Sequence, residues 1–306
     1  MRSTLVINEA ERIRREEESE RLRLMCKRRF GFPYVMFRHN PVSLVGLILV
    51  LVMLLVAILG PVVAPYDPDS TNARIRMKGP SIAHFFGTDT YGRDVLSRVL
   101  AAGRVDFLIA LASIGFAFLF GSLIGVVAGY FRGVYDNLLM RAMDVMQSFP
   151  PFILGMGLAA AIGPGVRNLI IVITVIMVPG FARMVRSRVL SLREMAFIDA
   201  ARSSSVPTWK VLLVYLLPNS MGPIVVSAAL NISYAMLDAA GLSFIGLGVR
   251  PPQAEWGMMI SEGMNNLLGG QWWVTVFPGL ALFISVLGFN LLADGLRDIL
   301  DPRMRR

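Results

Sequence analysis

The sequence predicts an all-α membrane protein with six membrane-spanning helices. Its 306 residues are 55% hydrophobic and have a mean hydropathy of +0.61, which is more apolar than a soluble domain can bury. Six stretches without a charged residue approach the roughly 20 residues that a helix needs to cross a bilayer. They are residues 42–64, 107–131, 145–163, 168–182, 211–237 and 271–293.

The distribution of Lys and Arg predicts the orientation of these spans. Cytoplasmic flanks carry an excess of both residues, and most of the 30 fall on the inner side when both termini are cytoplasmic. The span at 168–182 is short, but its cytoplasmic end can continue past Arg183 if that side chain reaches the headgroups. The first apolar stretch is too long for a signal-peptide core, so we expect no cleaved signal.

This topology also accounts for the net charge of +9, so nucleic-acid binding is not expected. Cys26 is the single cysteine and falls in the predicted cytoplasmic leader, where a reduced thiol is expected and an intrachain disulfide is impossible. His39 and His84 fall on opposite sides of the membrane. With a lone cysteine they offer no transition-metal cluster, so no bound metal is predicted.

The chain divides into three predicted parts. Residues 1–41 form a charged cytoplasmic leader, which is either a solvated helix or a contact for a partner subunit or anionic lipid. Residues 42–104 contain the first span and an external segment, whose residues 92–103 have the apolar spacing of an amphipathic helix on the outer surface. Residues 105–306 form a five-helix core with a cytoplasmic coupling loop at about 191–219.

That loop is the longest predicted cytoplasmic connection between spans. Its sequence predicts two short helices joined at a turn. Ala200 and Ala201 are small enough to let a helix approach a partner surface closely. The turn between the two helices needs a small residue that tolerates an unusual φ.

The loop resembles the cytoplasmic signature of ABC importer permeases, which has Glu-Ala-Ala, then Gly after three intervening residues, and a later Leu-Pro pair. Asp199 takes the place of the Glu and Ser205 that of the Gly, while both alanines and the Leu-Pro pair match. The resemblance implies contact with an ATP-binding subunit through a set of loop residues. They are Asp199, Ala200, Ala201, Arg202, Ser205, Leu217 and Pro218.

Further motifs are similar to the dipeptide and oligopeptide branch of this family, and their order and spacing together are specific. They cover nearly the whole chain from about residue 40 and lie at residues 64–66, 87–89 with 92–94, 128–130, 242–248, 251–252 with 256–257, and 294–302.

The resemblance implies a MetI-like fold of the type I importers in the bacterial inner membrane. It implies as partners a second homologous permease, two ATP-binding subunits, a solute-binding protein and membrane lipid. Di- or oligopeptides are the expected solutes, while nickel chelates, glutathione, opines and sugars stay open as alternatives.

ATP hydrolysis is not expected in this chain. A phosphate loop has a Gly, four residues of any type, and then Gly-Lys followed directly by Ser or Thr. None of the three lysines is followed by Ser or Thr. Lys27 is followed by Arg28, Lys78 by Gly79 and Lys210 by Val211. The chain is therefore predicted to be a transport subunit without catalytic residues or cofactors, with ATP and Mg on partner subunits.

Asp238 follows the uncharged run of the fifth span, and an ionisable residue at membrane depth predicts a functional site. Asn231 and Tyr234 lie seven and four residues earlier, on roughly the same helix face. Asp238 either lines the solute pathway with these two residues or forms a structural bond across a subunit interface.

Two other functional classes are disfavoured. A secondary transporter would couple to ions at broken helices, but the spans are nearly free of charge and the coupling loop is long. A membrane enzyme would need a metalloprotease, nucleophile-elbow or paired-carboxylate motif within the spans, and none is present.

Overall fold

The computed structural model describes residues 41–300, so the predicted leader lies outside the described residues except for Pro41. The described chain is helical apart from short connections, with a single 3₁₀ turn at Ala73–Ile75. Its helices are α1 (Pro41–Val63), α2 (Val95–Phe131), α3 (Gly133–Gln147), α4 (Pro151–Ile162), α5 (Val166–Leu192), α6 (Ala196–Ser203), α7 (Thr208–Phe244), α8 (Trp256–Met264) and α9 (Trp273–Leu300).

Five of these helices, α1, α2, α5, α7 and α9, are long and apolar enough to cross a membrane. The pair α3 and α4 is apolar enough only when taken together, and the two helices meet at a bend of 89°, so the pair is either a broken sixth span or a re-entrant loop. The prediction of one continuous helix over 145–163 is therefore wrong. Pro150 and Pro151 explain the break, because a residue before proline avoids helical conformation and proline favours the first turn of a new helix.

Helix α2 is longer than its uncharged stretch. The amphipathic helix expected at 92–103 is not separate, since its apolar residues form the first turns of α2 and Val95 and Val99 are buried. Asp94 caps the helix by accepting a hydrogen bond from the Ser97 amide at 2.8 Å. The predicted boundary at residue 104 thus falls inside one continuous helix.

Helix α5 continues past Arg183 to Leu192, as its short uncharged stretch requires. Helix α7 contains a π-helical segment at Val211–Leu216, directly before Pro218. Proline cannot donate a backbone hydrogen bond, and the wider π turn absorbs that gap near the start of the helix.

The contact between α2 and α5, the most extensive between two helices of the described residues, runs along three glycines of α2 spaced four residues apart. Gly121, Gly125 and Gly129 face the backbone of α5 so closely that a side chain has no room. A Cβ on Gly125 would lie 2.5 Å from the carbonyl oxygen of Ala182. Small residues at this spacing are a common helix-packing device in membranes, where dispersion and close backbone approach replace the hydrophobic effect.

The spans are joined by connections at two ends of the bundle. We call residues 64–94 and 245–272 the cap, and the opposite end the base. The base contains the α2–α3 corner and residues 193–210 with α6. Helices α2, α5 and α9 run from cap to base, whereas α1 and α7 run from base to cap.

We predict that Gly125→Ala destabilises the permease by about 1–3 kcal/mol, because the added methyl overpacks the backbone contact with α5. Gly115→Ala on the same helix is the control, since nothing lies within 4 Å of a Cβ there. Thermal unfolding in detergent measures both. Equal unfolding temperatures for the two variants would contradict the tight α2–α5 contact.

Candidate functional site

The loop between α5 and α7 has the predicted arrangement of two helices and a turn. Helix α6 ends at Ser203, Ser204 follows as its cap, and Ser205 takes a left-handed conformation with φ of 55°. The Val206 amide then donates to the carbonyl of Ala201 at 3.1 Å. The position where the signature has Gly therefore requires a positive φ, which serine adopts at some cost.

Helix α6 has two different faces. Ile198 and Ala201 are buried, and α6 contacts the π segment at the start of α7. Phe197 and Ala200 lie on the exposed face, where Phe197 keeps 39% of its surface accessible. Of the two alanines in the motif, only Ala200 is available to another protein.

The remaining motif residues lie around these faces. Asp199 is exposed and forms a long ion pair of 3.7 Å with Arg202. Leu217 and Pro218 follow directly after the π segment. Met195 and Trp209 add further exposed apolar surface on either side of α6.

Three polar contacts attach this loop to the end of α2. The Arg202 guanidinium lies 5.1 Å from the ring centroid of Tyr130, and Arg193 donates to the Tyr130 carbonyl at 2.5 Å. Arg132, at the start of α3, donates to Glu194 at 2.8 Å. The loop is thus connected both to α7 and to the α2–α3 corner.

The three residues predicted to share a face of α7 do so. Tyr234 is 57% exposed, while Asn231 and Asp238 are half-buried. The opposite face of the helix is packed, and there Ser233 donates to the Val286 carbonyl of α9 at 3.2 Å. Tyr234 therefore faces away from the chain's own bundle, whereas Asn231 and Asp238 lie at the edge between the exposed and the packed face.

The cap is held by buried charges. Arg93 pairs with Asp89 at 2.5 Å and with Glu262 of α8 at 2.9 Å. Arg98, which is also buried, donates to the carbonyls of Pro68 and Pro252 at 3.0 and 3.2 Å. These two arginines join the segment after α1 to the segment after α7.

Sequence reasoning missed a second buried polar contact beneath the cap, between Asp106 of α2 and Glu255. Glu255 caps α8 by accepting from the Gly257 and Met258 amides at 2.9 and 2.7 Å, and burial raises the pKa of its carboxyl group. The Trp256 amide donates to Asp106 at 3.2 Å.

The signal for this contact was weak in the sequence. Asp106 stands one residue outside the uncharged stretch of the second span, and Glu255 is an ordinary acidic residue before Trp256. Only the fold brings positions 149 residues apart together.

The family was identified by comparison with known proteins. A family model described as the binding-protein-dependent transport system inner membrane component matches residues 121–306. A second model, the N-terminal TM domain of oligopeptide transport permease C, matches residues 35–80. The chain belongs to this family of ABC importer permeases.

Three relatives are similar over most of their length. The probable D,D-dipeptide transport system permease protein of Escherichia coli K12 is 39% identical over 94% of this chain and 97% of that protein. The dipeptide permease of Alkalihalophilus pseudofirmus is 39% identical over 88% of each chain. A glutathione transport permease of Pectobacterium atrosepticum is 36% identical over 88% of this chain and 89% of that one.

A solved structure agrees in fold. The inward-facing MetNI methionine ABC transporter contains a chain that matches with a TM-score of 0.51 and 19% identity, over 66% of this chain and 96% of that one. The predicted MetI-like permease fold is confirmed. The protein is a multi-pass membrane subunit of an ABC importer and not an enzyme, because ATP hydrolysis in this family belongs to separate subunits.

We predict that Ser205→Gly preserves the structure of the coupling loop. Glycine adopts the positive φ at this position without strain, although it also makes the unfolded chain more flexible. Ser205→Val should displace the turn, since a β-branched residue at positive φ costs about 1–3 kcal/mol. Limited trypsin cleavage after Arg202 measures the difference. Equal cleavage rates in both variants would argue against the left-handed turn.

We also predict that Arg93→Ala destabilises the cap by about 3–5 kcal/mol, because it removes the closer cationic partner of the buried Asp89 carboxylate and leaves only Arg98 at 3.8 Å. Glu194→Ala is the control, since it breaks an exposed pair worth about 0–1 kcal/mol. Thermal unfolding of both purified variants provides the comparison. A smaller effect for Arg93→Ala than for the control would refute the importance of the buried network.

Proposed function

We propose that this chain forms half of the translocation pathway of an importer for di- or oligopeptides. Its partners would be a second homologous permease, two ATP-binding subunits that carry ATP and Mg, and a solute-binding protein outside the membrane. No cofactor or metal of its own is proposed. Support for the solute comes from relatives named as dipeptide permeases, while the glutathione permease keeps a related solute as the alternative.

The proposed contact with the ATP-binding subunit is the exposed face of α6. The observation that carries it is the division of this helix into a buried face with Ile198 and Ala201 and an exposed face with Phe197 and Ala200. An exposed aromatic residue beside a small one suits insertion into a cleft, because the aromatic fills the space and the alanine allows close approach. Asp199, Arg202 and Ser205 would then orient the helix and its turn.

Movement at α6 would reach the membrane by two routes. One leads through the π segment to Leu217, Pro218 and the rest of α7. The other leads through Arg202 and Tyr130 to the end of α2. Closure of the ATP-binding subunits would pull both helices at once and change access to the pathway.

The proposed orientation has the base and both termini in the cytoplasm and the cap outside. The Lys and Arg distribution supports it, because the coupling loop and the leader carry more of these residues than the cap. The cap would then receive the solute-binding protein. Asn231, Tyr234 and Asp238 would line the pathway from the exposed face of α7.

The test uses the permease with its partner subunits reconstituted in liposomes. We predict ATP-dependent uptake of a labelled dipeptide by the parent complex. Ala200→Trp should weaken retention of the ATP-binding subunits about 5-fold to 150-fold, because overpacking a fitted contact costs about 1–3 kcal/mol. The thermal stability of the isolated permease should stay unchanged.

Ala201→Trp is the informative contrast, since that residue is buried in the chain itself and the variant should lower the stability of the isolated permease. Ser204→Ala should leave both properties intact. If Ala200→Trp retains the ATP-binding subunits and transports like the parent, α6 is not the coupling contact.

A further inference from the structure

Asp238 has no hydrogen-bond or ion-pair partner among residues 41–300. Its side chain is half-buried. It lies within the spanning helix α7, two turns before the end at Phe244. A carboxylate in such a helix is costly unless a partner or water compensates, and residues 41–300 supply no partner.

The neighbouring groups on the same face present oxygen atoms. Asn231 donates its side-chain amide to the Ser227 carbonyl at 2.8 Å, which leaves its side-chain oxygen free to accept. Tyr234 is 57% exposed, so its hydroxyl group is accessible to a ligand. The spacing of three and four residues puts Asn231, Tyr234 and Asp238 in one row along α7.

Such a row favours a ligand with several N–H donors and a positive charge. A divalent metal is a poorer fit, because among the described residues no second carboxylate, His or Cys combines with Asp238 into a group of three. A primary ammonium group has three donors on one charged atom, which matches a carboxylate and two oxygen acceptors.

We propose that Asp238, assisted by the side-chain oxygens of Asn231 and Tyr234, binds the ammonium group of the solute during passage. This inference rests on the proposed import of peptides, since a peptide with a free amino terminus carries such a group. The contact would be transient, because a solute must also leave the site. The competing role is an ion pair with a cationic side chain of the second permease.

The first experiment measures uptake of a labelled dipeptide by the complete reconstituted complex. Asp238→Asn should lower uptake at least tenfold with all subunits retained, while Asp238→Glu should keep at least a third of the parent rate. Leu237→Ala changes an exposed neighbour on α7 without altering charge and should transport normally. Unchanged uptake in Asp238→Asn, or loss of the second permease from that complex, would overturn the inference.

The second experiment does not depend on the solute. In a complex with Cys26→Ser, a cysteine introduced by Tyr234→Cys is labelled at pH 8 with a cationic and with a neutral thiol reagent. Asp238 lies one helical turn away, so its charge should raise the ratio of cationic to neutral labelling rates. Adding Asp238→Asn should lower that ratio at least about threefold, as expected for one charge at about 6 Å in water.

An unchanged labelling ratio would refute a cation-attracting carboxylate at this site. A parent complex that imports no peptide would refute the proposed function instead. In that event the labelling ratio would still decide whether Asp238 attracts an ammonium group.

Discussion

The close contact between α2 and α5 is the constraint on which the rest of the structure depends. In a bilayer the helices gain little from burying apolar side chains, so backbone approach along Gly121, Gly125 and Gly129 does the work of holding them together. The contact runs to the base, where Tyr130 follows Gly129 and Arg193 follows α5. The coupling loop is therefore attached to the two helices that share the most extensive contact among residues 41–300.

The two ends of the bundle use charge in different ways. In the cap, Arg93 and Arg98 are buried with their partners and fix two distant segments against each other. In the coupling loop, the pairs of Arg132 with Glu194 and of Arg202 with Asp199 are partly exposed, so each contributes little to stability. At the same end of the bundle but outside this loop, two guanidinium nitrogens of Arg186 hold the buried carboxylate of Asp136. Weak contacts suit a loop that must move with another subunit, and strong ones suit a rigid platform.

Much of this architecture follows from the sequence, and its failures have physical causes. Absence of charge located the spans, but it could not detect the bend at Pro150 and Pro151, since prolines do not interrupt an apolar run. Spacing grouped Asn231, Tyr234 and Asp238 on one helix face, because that relation is local. Spacing could not tell which of Ala200 and Ala201 is buried and which is exposed, because that depends on the contact of α6 with α7. Nor could it pair Asp106 with Glu255, which only long-range folding brings together.

The continuity of α7 connects the base to the membrane interior. Its first turns contact α6, while Asp238 lies 22 residues beyond Leu216, or about 33 Å along the axis. A helix transmits displacement of its end as rotation or translation of the whole rod, unless it bends on the way. The π segment and Pro223 both lie in the first half of α7, so the proline-free helix above them, which contains Asp238, is the part that moves as a unit. Motion imposed on α6 would thus reach the row of oxygens on the open face of α7 without any intervening loop.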